Sequence, residues 1–394
     1  MQKTTRGDRR IVMVLESNYP TEGGGGAEGQ LRTLSRWLSA HGIGVHIVVP
    51  MREWDTREND EVDGVPVWRV PYPRVRKLGG LVMLWRMALW LWRTRRDYEV
   101  IHAHIAHNMA LVAALAGRLL GKTVIVKITG SLEIATGVLD PAVRRPDVIL
   151  RRWLLRCASW YQATSSEIRG RLIDAGVDAA RIHVIPNAVD VKRFDIDRQP
   201  DETRPLTAVY VGRLSEEKAP DVMITAWMRA FPADARVRLL CVGEGAMRSP
   251  LQKAIDEHGR GEQIRLLGAQ DDVRPWLAQA DFAILPSHYE GLSNALLEAM
   301  AAGLPMLGTR VSGTVDFVEH GRDGWLVEPG DIDGMAAMLR EAAATPPERR
   351  REMGEAARKK IMARARLDAV VEQLARLYEI DARMFRTMPQ GRFV

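Results

Sequence analysis

Short apolar runs alternate with stretches of helical period along most of the chain. Ile11–Leu15 reads as a buried strand, followed by a glycine-rich loop and an amphipathic stretch from Glu28 to His41. Val45–Pro50, Val65–Val70, Val100–Ile105, Thr123–Ile128 and Trp160–Ser165 read as further strands. The second half has the same grammar, with strands at Leu206–Gly212, Val237–Gly243, Ile264–Gly268, Phe282–Ser287 and Pro305–Thr309. Helices are predicted between them, including Ala219–Ala230 and Leu296–Ala302. Strands that alternate with such helices indicate parallel sheets with crossover helices. The polar, proline-containing stretch Asp195–Pro205 has no periodicity and is the expected linker. The expectation is an α/β chain of two doubly wound domains, 1–198 and 199–365, facing across a cleft. The strand-exit loops are then where ligands bind. The tail from Pro346 to Met384 reads as helical, and Leu367, Val370, Val371, Leu374, Leu377 and Tyr378 form one apolar face. The segment 366–394 is therefore expected to pack back on the body, on the amino-terminal domain.

Composition narrows the class. At 394 residues, 46% hydrophobic and 27% charged, the chain has material for two cores and is not a disordered protein. Two distant cysteines, Cys157 and Cys241, make no disulfide framework and suit a reducing compartment. The first apolar run is too short for a secretory signal, and no run reaches the ~18 residues of a spanning helix. The expected location is cytoplasmic. The net charge of +6 admits nucleic acid, anionic lipid or a phosphorylated small molecule as partner.

Glu290 and Glu298 lie eight positions apart, after the strand FAILPS and into the following helix. That spacing places both near one side, just over two turns apart. Carboxylates only accept hydrogen bonds, so they suit hydroxyls, ribose at one and a hexose at the other. The free N–H groups that open the helix suit an oxyanion or a hydroxyl. By spacing alone the pair reads rather as a capped helix with two solvated acids. A second loop of the same half changes this. In Val211–Lys218, VGRLSEEK, Gly212 permits a tight turn. There Arg213 and Lys218 form a planar fork and a point charge able to clamp a diphosphate. Two cations and two acids at strand exits of one domain point to a nucleotide-sugar pocket.

These motifs resemble those of the retaining glycosyltransferases of family 4, which have the GT-B architecture of two Rossmann-like domains. The resemblance rests on GGGGAEGQ (Gly23–Gln30), HVIPNAVDVKRF (His183–Phe194), VGRLSEEKAPD (Val211–Asp221), LPSHYEGLSNALLEAMAAGLPMLGT (Leu285–Thr309) and VSGTVDFVEHGRDGWLVEPGD (Val311–Asp331). By matching position it implies that Glu298 holds the donor ribose and Glu290 orients the transferred sugar. It implies that Arg213 and Lys218 stabilise the departing diphosphate, and that backbone N–H groups near Gly291, Leu292 and Ser293 touch sugar and phosphate. Gly243 and Gly245 would let the backbone approach the nucleotide. Gly24 and Gly25, inside the loop Gly23–Gly26, would line the acceptor side. The donor would be a UDP- or GDP-sugar, the sugar hexose-type, the configuration retained, and no cofactor or metal required. Three positions depart from the family pattern. Thr129 stands where many relatives have a histidine, and His104 and His107, one loop earlier, are candidates to take its place. Ala219 and Ala188 each stand where a glycine is usual.

Arg69–Arg96 holds Arg69, Arg74, Arg76, Lys77, Arg86, Arg93, Arg95 and Arg96, no acid, and Trp85, Trp90 and Trp92. Its apolar core, Leu78–Trp92, is too short to span a bilayer and suited to its interface, or else is a crossover helix buried on one face. No recognition motif accompanies the bases, which sets nucleic acid aside. The expected function is transfer of a sugar to a glycan or lipid-linked acceptor, with 69–96 on an anionic membrane surface at its inner face. Two alternatives stay open: a soluble transferase acting on a small molecule or free oligosaccharide, and a non-catalytic binding or scaffold subunit.

Overall fold

The computed structural model describes residues 10–20, 26–52, 56–75, 78–130, 137–197 and 203–380. The chain forms two units. One comprises residues through Ala188 together with those from Asp368 onward, and the other is Val189–Leu367. The crossing falls at Ala188–Val189, ahead of the polar stretch Asp195–Pro205 expected as the linker. Chain partners fix it there. Gln30 on the first helix donates to Ala188 O at 2.8 Å and accepts from Ala188 N at 2.7 Å, while Val189 N donates to Ala365 O at 2.9 Å.

The first unit is built on β1 (Arg10–Val14), β2 (Gly44–Pro50), β3 (Asn59–Val62), β4 (Val65–Val70), β5 (Val100–Ala103), β6 (Thr123–Ile128), β7 (Trp160–Ala163) and β8 (Ile182–Val184). They form one sheet in the order β3-β4-β2-β1-β5-β6-β7-β8, parallel except where β3 pairs antiparallel with β4. The central strands are continuous apolar runs because helices cover both faces. The order reverses between β1 and β5. The helices are α1 (Gly26–Ala40), α2 (Leu78–Arg93), α3 (Asn108–Leu120), α4 (Pro146–Leu155) and α5 (Ser166–Asp174). Gly121 in the left-handed region ends α3, and Ser165 caps α5 by accepting from Ile168 N at 3.2 Å.

The second unit has β9 (Leu206–Val211), β10 (Val237–Val242), β11 (Ile264–Gly268), β12 (Phe282–Leu285), β13 (Met306–Thr309) and β14 (Gly324–Val327). The sheet order is β11-β10-β9-β12-β13-β14, with every pair parallel. Its helices are α6 (Pro220–Ala230), α7 (Arg248–Glu257), α8 (Arg274–Ala278), α9 (Asn294–Ala301), α10 (Thr314–Phe317), α11 (Ile332–Ala344) and α12 (Pro347–Arg364). Apolar clusters lie on both faces of the sheet, one including Leu285, Leu296 and Ile361, the other Tyr210, Trp227 and Trp325. The strand order reverses between β9 and β12, and this switch point is where doubly wound sheets bind ligands.

The helical tail is interrupted. After α12 the chain turns at Ala365 (φ −127°, ψ 5°), Arg366 bridges to Val189, and α13 (Leu367–Leu377) follows. The apolar face of α13 packs in the first unit. Tyr378, fully buried, hydrogen-bonds through its hydroxyl with His102 Nδ1 at 2.7 Å, and His102 Nε2 meets Gln162 Oε1 at 3.1 Å.

Candidate functional site at the switch point of the second unit

The two loops singled out in the sequence leave the adjacent strands β9 and β12. After β9 the chain turns at Gly212, where a side chain would meet the Tyr210 hydroxyl at 2.9 Å. Tyr210, fully buried, donates that hydroxyl to Arg213 O at 2.6 Å and so fixes the turn. A single 3-10 turn, Glu216–Lys218, follows. Ala219 then adopts φ 48°, ψ 45° before Pro220 opens α6. This left-handed residue explains why glycine is usual there, since a Cβ disfavours that conformation.

After β12 the chain runs through Ser287 to Glu290, and α9 begins after Ser293, whose side chain makes no cap bond. Lys218 Nζ donates to Glu290 Oε1, an ion pair between side chains 16% and 8% exposed. Ser287 Oγ donates to the same oxygen at 3.0 Å, and Thr309 Oγ1, at the end of β13, donates to Ser287 O at 2.7 Å. His288 N donates to Glu217 O at 2.9 Å and ties the two loops through their backbones. Glu290 is thus held from three strand ends. Arg213 is 70% exposed and pairs with Glu217 four residues on.

Glu298 lies in the second turn of α9. Among the described residues its carboxylate has no hydrogen bond or ion pair. Burial pushes its carboxyl up to about 7, and the nearby Arg193 guanidinium opposes that rise. A carboxylate without a protein partner is an open acceptor for hydroxyls. Arg193, from the loop after the crossing, is a functional candidate that sequence reasoning passed over. The only signal for it was its place in HVIPNAVDVKRF. Tyr210, Ser287 and Thr309 were missed as well, because their roles follow from tertiary placement.

The glycines of these loops also meet the protein's own backbone. Gly243 has φ 146°, and a Cβ there would lie 1.9 Å from Gly212 O. Gly245 has φ 158°, and its Cβ would lie 2.3 Å from Leu214 O. Their bare backbones let the β10 loop close on the β9 loop, so they shape the protein's own wall. Gly313, φ 75°, similarly admits the loop after β13 against Gly291 O, which a Cβ would meet at 2.1 Å. Gly291 and Leu292 are buried and Ser293 is half-buried.

The residues expected on the acceptor side belong to the first unit. Gly23, Gly24 and Gly25 lie outside the described residues, and Gly26 opens α1. Thr129 is half-buried just past β6. His104 follows directly on the end of β5. It is 1% exposed, its N–H extends the ladder to Val14 O at 2.9 Å, and its ring packs 4.3 Å from that of His102. Burial holds its imidazole well below the ordinary range, with His102 and Lys127 adding to that effect. His107 instead pairs with Glu16 at 2.7 Å, and Glu16 also accepts from Met109 N at 2.6 Å at the start of α3. Among the described residues no three metal-ligating side chains gather, and no helix is long and apolar enough to cross a membrane.

Comparison with known proteins agrees with this fold. Residues 24–193 match the family described as Glycosyltransferase Family 4, and residues 205–344 match Glycosyl transferases group 1. Glycogen synthase from Mycobacterium tuberculosis is 28% identical over 300 residues, covering 75% of this chain and 71% of that protein. A putative colanic acid biosynthesis glycosyltransferase from Salmonella typhimurium is 31% identical over 218 residues, covering 53% of this chain and 54% of that protein. In fold, the chain resembles HepE from Anabaena, solved with UDP. The TM-score is 0.76 at 19% identity, over 94% of this chain and 99% of that one.

Proposed function

Because the chain belongs to the family 4, group 1 glycosyltransferases of GT-B architecture, we propose that the switch point between β9 and β12 binds the nucleotide-sugar donor from which it transfers a sugar. The observation that carries this reading is the meeting of Lys218 and Glu290 across that point, with the open carboxylate of Glu298 in the second turn of α9. Glu298 accepts from the ribose hydroxyls. Glu290, held by Ser287, accepts from hydroxyls of a hexose-type sugar and orients it. On donor binding, Lys218 and Arg213 exchange carboxylate partners for the diphosphate.

Charge then dictates the chemistry. The bond from sugar C1 to the phosphate oxygen lengthens, the ring takes on oxocarbenium character, and negative charge gathers on the nucleoside diphosphate. Cations already fixed beside that charge contribute several kcal/mol to lowering the barrier. The acceptor oxygen bonds to C1 on the face the phosphate leaves and gives its proton to a phosphate oxygen, so configuration is retained. Arg213 and Lys218 supply the neutralisation that a metal ion would otherwise provide. The acceptor we propose is a glycan or lipid-linked glycan in polysaccharide assembly at the cytoplasmic membrane face. Leu81, Trp85 and Trp92, exposed on α2, support that placement.

The test is turnover of UDP- and GDP-sugars by purified protein, with the product anomer read by NMR. Transfer or donor hydrolysis is expected, lost in Glu298→Ala while the variant still unfolds in one cooperative transition. Equal turnover by Glu298→Ala would remove the proposal.

A further inference from the structure

In the first unit α2 packs against α3 and α3 against α4, so the three helices lie side by side. Their outward residues therefore share one face. On α2 the buried residues are Gly79, Met83, Met87 and Leu91. Leu81 at 64% exposure and Trp85 at 63%, with Leu78 and Trp92, project on the opposite side. On α4, Val148 and Leu155 are buried, whereas Ile149, Leu150 and Trp153 are more than half exposed. Between them α3 exposes Leu119, with Leu115 and Ala116 partly buried against the core beneath. A globular surface seldom leaves so many large apolar side chains in one place without a partner.

Charge selects the partner. Arg93, Arg96, Arg118 and Arg144 are exposed on or beside these helices, and among the described residues none has a hydrogen bond or ion pair. The acids nearby are few. Asp147 is held by Arg145 at 2.8 Å, Asp140 accepts from Ala142 N at 2.9 Å, and Asp97 lies beyond the end of α2. A protein partner would need one surface both apolar and acidic. An anionic bilayer offers headgroup charge over an apolar interior, with tryptophan favoured at the boundary. We propose that the outer face of α2, α3 and α4 docks on an anionic lipid bilayer. This rests on the membrane placement of the acceptor proposed above and extends it from one helix to a three-helix platform. In this platform α4, outside the segment 69–96, carries an equal share.

The experiment is co-sedimentation of the full chain with phosphatidylcholine vesicles and with vesicles of phosphatidylcholine and phosphatidylglycerol. Binding to the second and not the first is expected. Each basic residue near such a surface contributes about a fivefold factor in affinity. The pair Trp153→Ser with Arg144→Glu, confined to α4 and its entry, should therefore weaken binding at least about tenfold. Reversal of Arg93, Arg118 and Arg144 should weaken it at least about a hundredfold. Wild-type binding by the α4 variant would overturn the platform, as would equal binding to neutral vesicles. So would a dimer in solution that the same substitutions dissociate, because a second copy would then cover this face. Nucleoside diphosphate binding, measured on each variant by calorimetry, separates the two proposals. Its absence in every protein would count against the donor site and leave the docking result standing.

Discussion

Replacing Lys218 by Met removes an ammonium and keeps most of its aliphatic stem. Glu290 would then be a carboxylate only 8% exposed, left with the Ser287 hydroxyl at 3.0 Å. Removing one partner of a fully buried pair costs roughly 3–5 kcal/mol. Here the residual exposure of both groups lets water reach the orphaned acid, so about 2–3 kcal/mol is expected. Glu290→Gln leaves an ammonium that can shift toward solvent, with a loss of about 1–2 kcal/mol. The double variant leaves no uncompensated charge, and its glutamine can still accept from Ser287. It should be less destabilised than the sum of the single changes by about 2 kcal/mol, well beyond the ~0.5 kcal/mol scatter of independent sites. Urea unfolding followed by tryptophan fluorescence gives the cycle, with unfolding midpoints and slopes fitted for each variant. Strict additivity, or a Lys218→Met loss below about 0.5 kcal/mol, would refute a pair held out of water.

Glu298→Gln should stabilise the free protein at pH 8 and weaken nucleotide binding. The folded carboxyl titrates near 7, above its unfolded value. The ionised form is therefore penalised, the penalty grows between about pH 4.5 and 7, and the variant should gain up to about 3 kcal/mol at pH 8 and nothing near pH 4. Calorimetric melts across pH check the sign, and nucleotide affinity in the wild type should rise from pH 5.5 to 8 because the hydroxyl acceptor is the ionised form. Gly243→Ala forces a Cβ to within 1.9 Å of Gly212 O and should cost more than about 2 kcal/mol with loss of donor binding. An unchanged melt would contradict the loop packing. Tyr378→Phe removes the hydroxyl bonded to His102 and should cost about 1–3 kcal/mol, read as a lowered melting temperature with nucleotide affinity retained.

The sheet strands were legible because helices cover both faces and each inner strand is an apolar run. Phe282–Leu285 and Ile11–Val14 need no context to be read. β3 was not legible, since its sequence, NDEV, is polar and belongs to an edge that solvent reaches. The two acids and two cations were legible as a set because each follows a strand. Their pairing was not, because Lys218 meets Glu290 across 72 positions and only the sheet order decides which loops are neighbours. The burial of His104 was not legible, because it depends on the ring of His102 and on the packing of the first unit rather than on local sequence. The break at Ala365–Arg366 was hidden for a related reason. Helical periodicity persists on both sides, and only the pairing with Val189 interrupts it.

The most direct measurement is a crystal structure of the protein with a nucleoside diphosphate bound. The account predicts diphosphate oxygens within hydrogen-bond reach of Arg213 and Lys218, and ribose hydroxyls on Glu298. Lys218 should by then have released Glu290. A nucleotide bound elsewhere, with the Lys218–Glu290 pair intact, would contradict it.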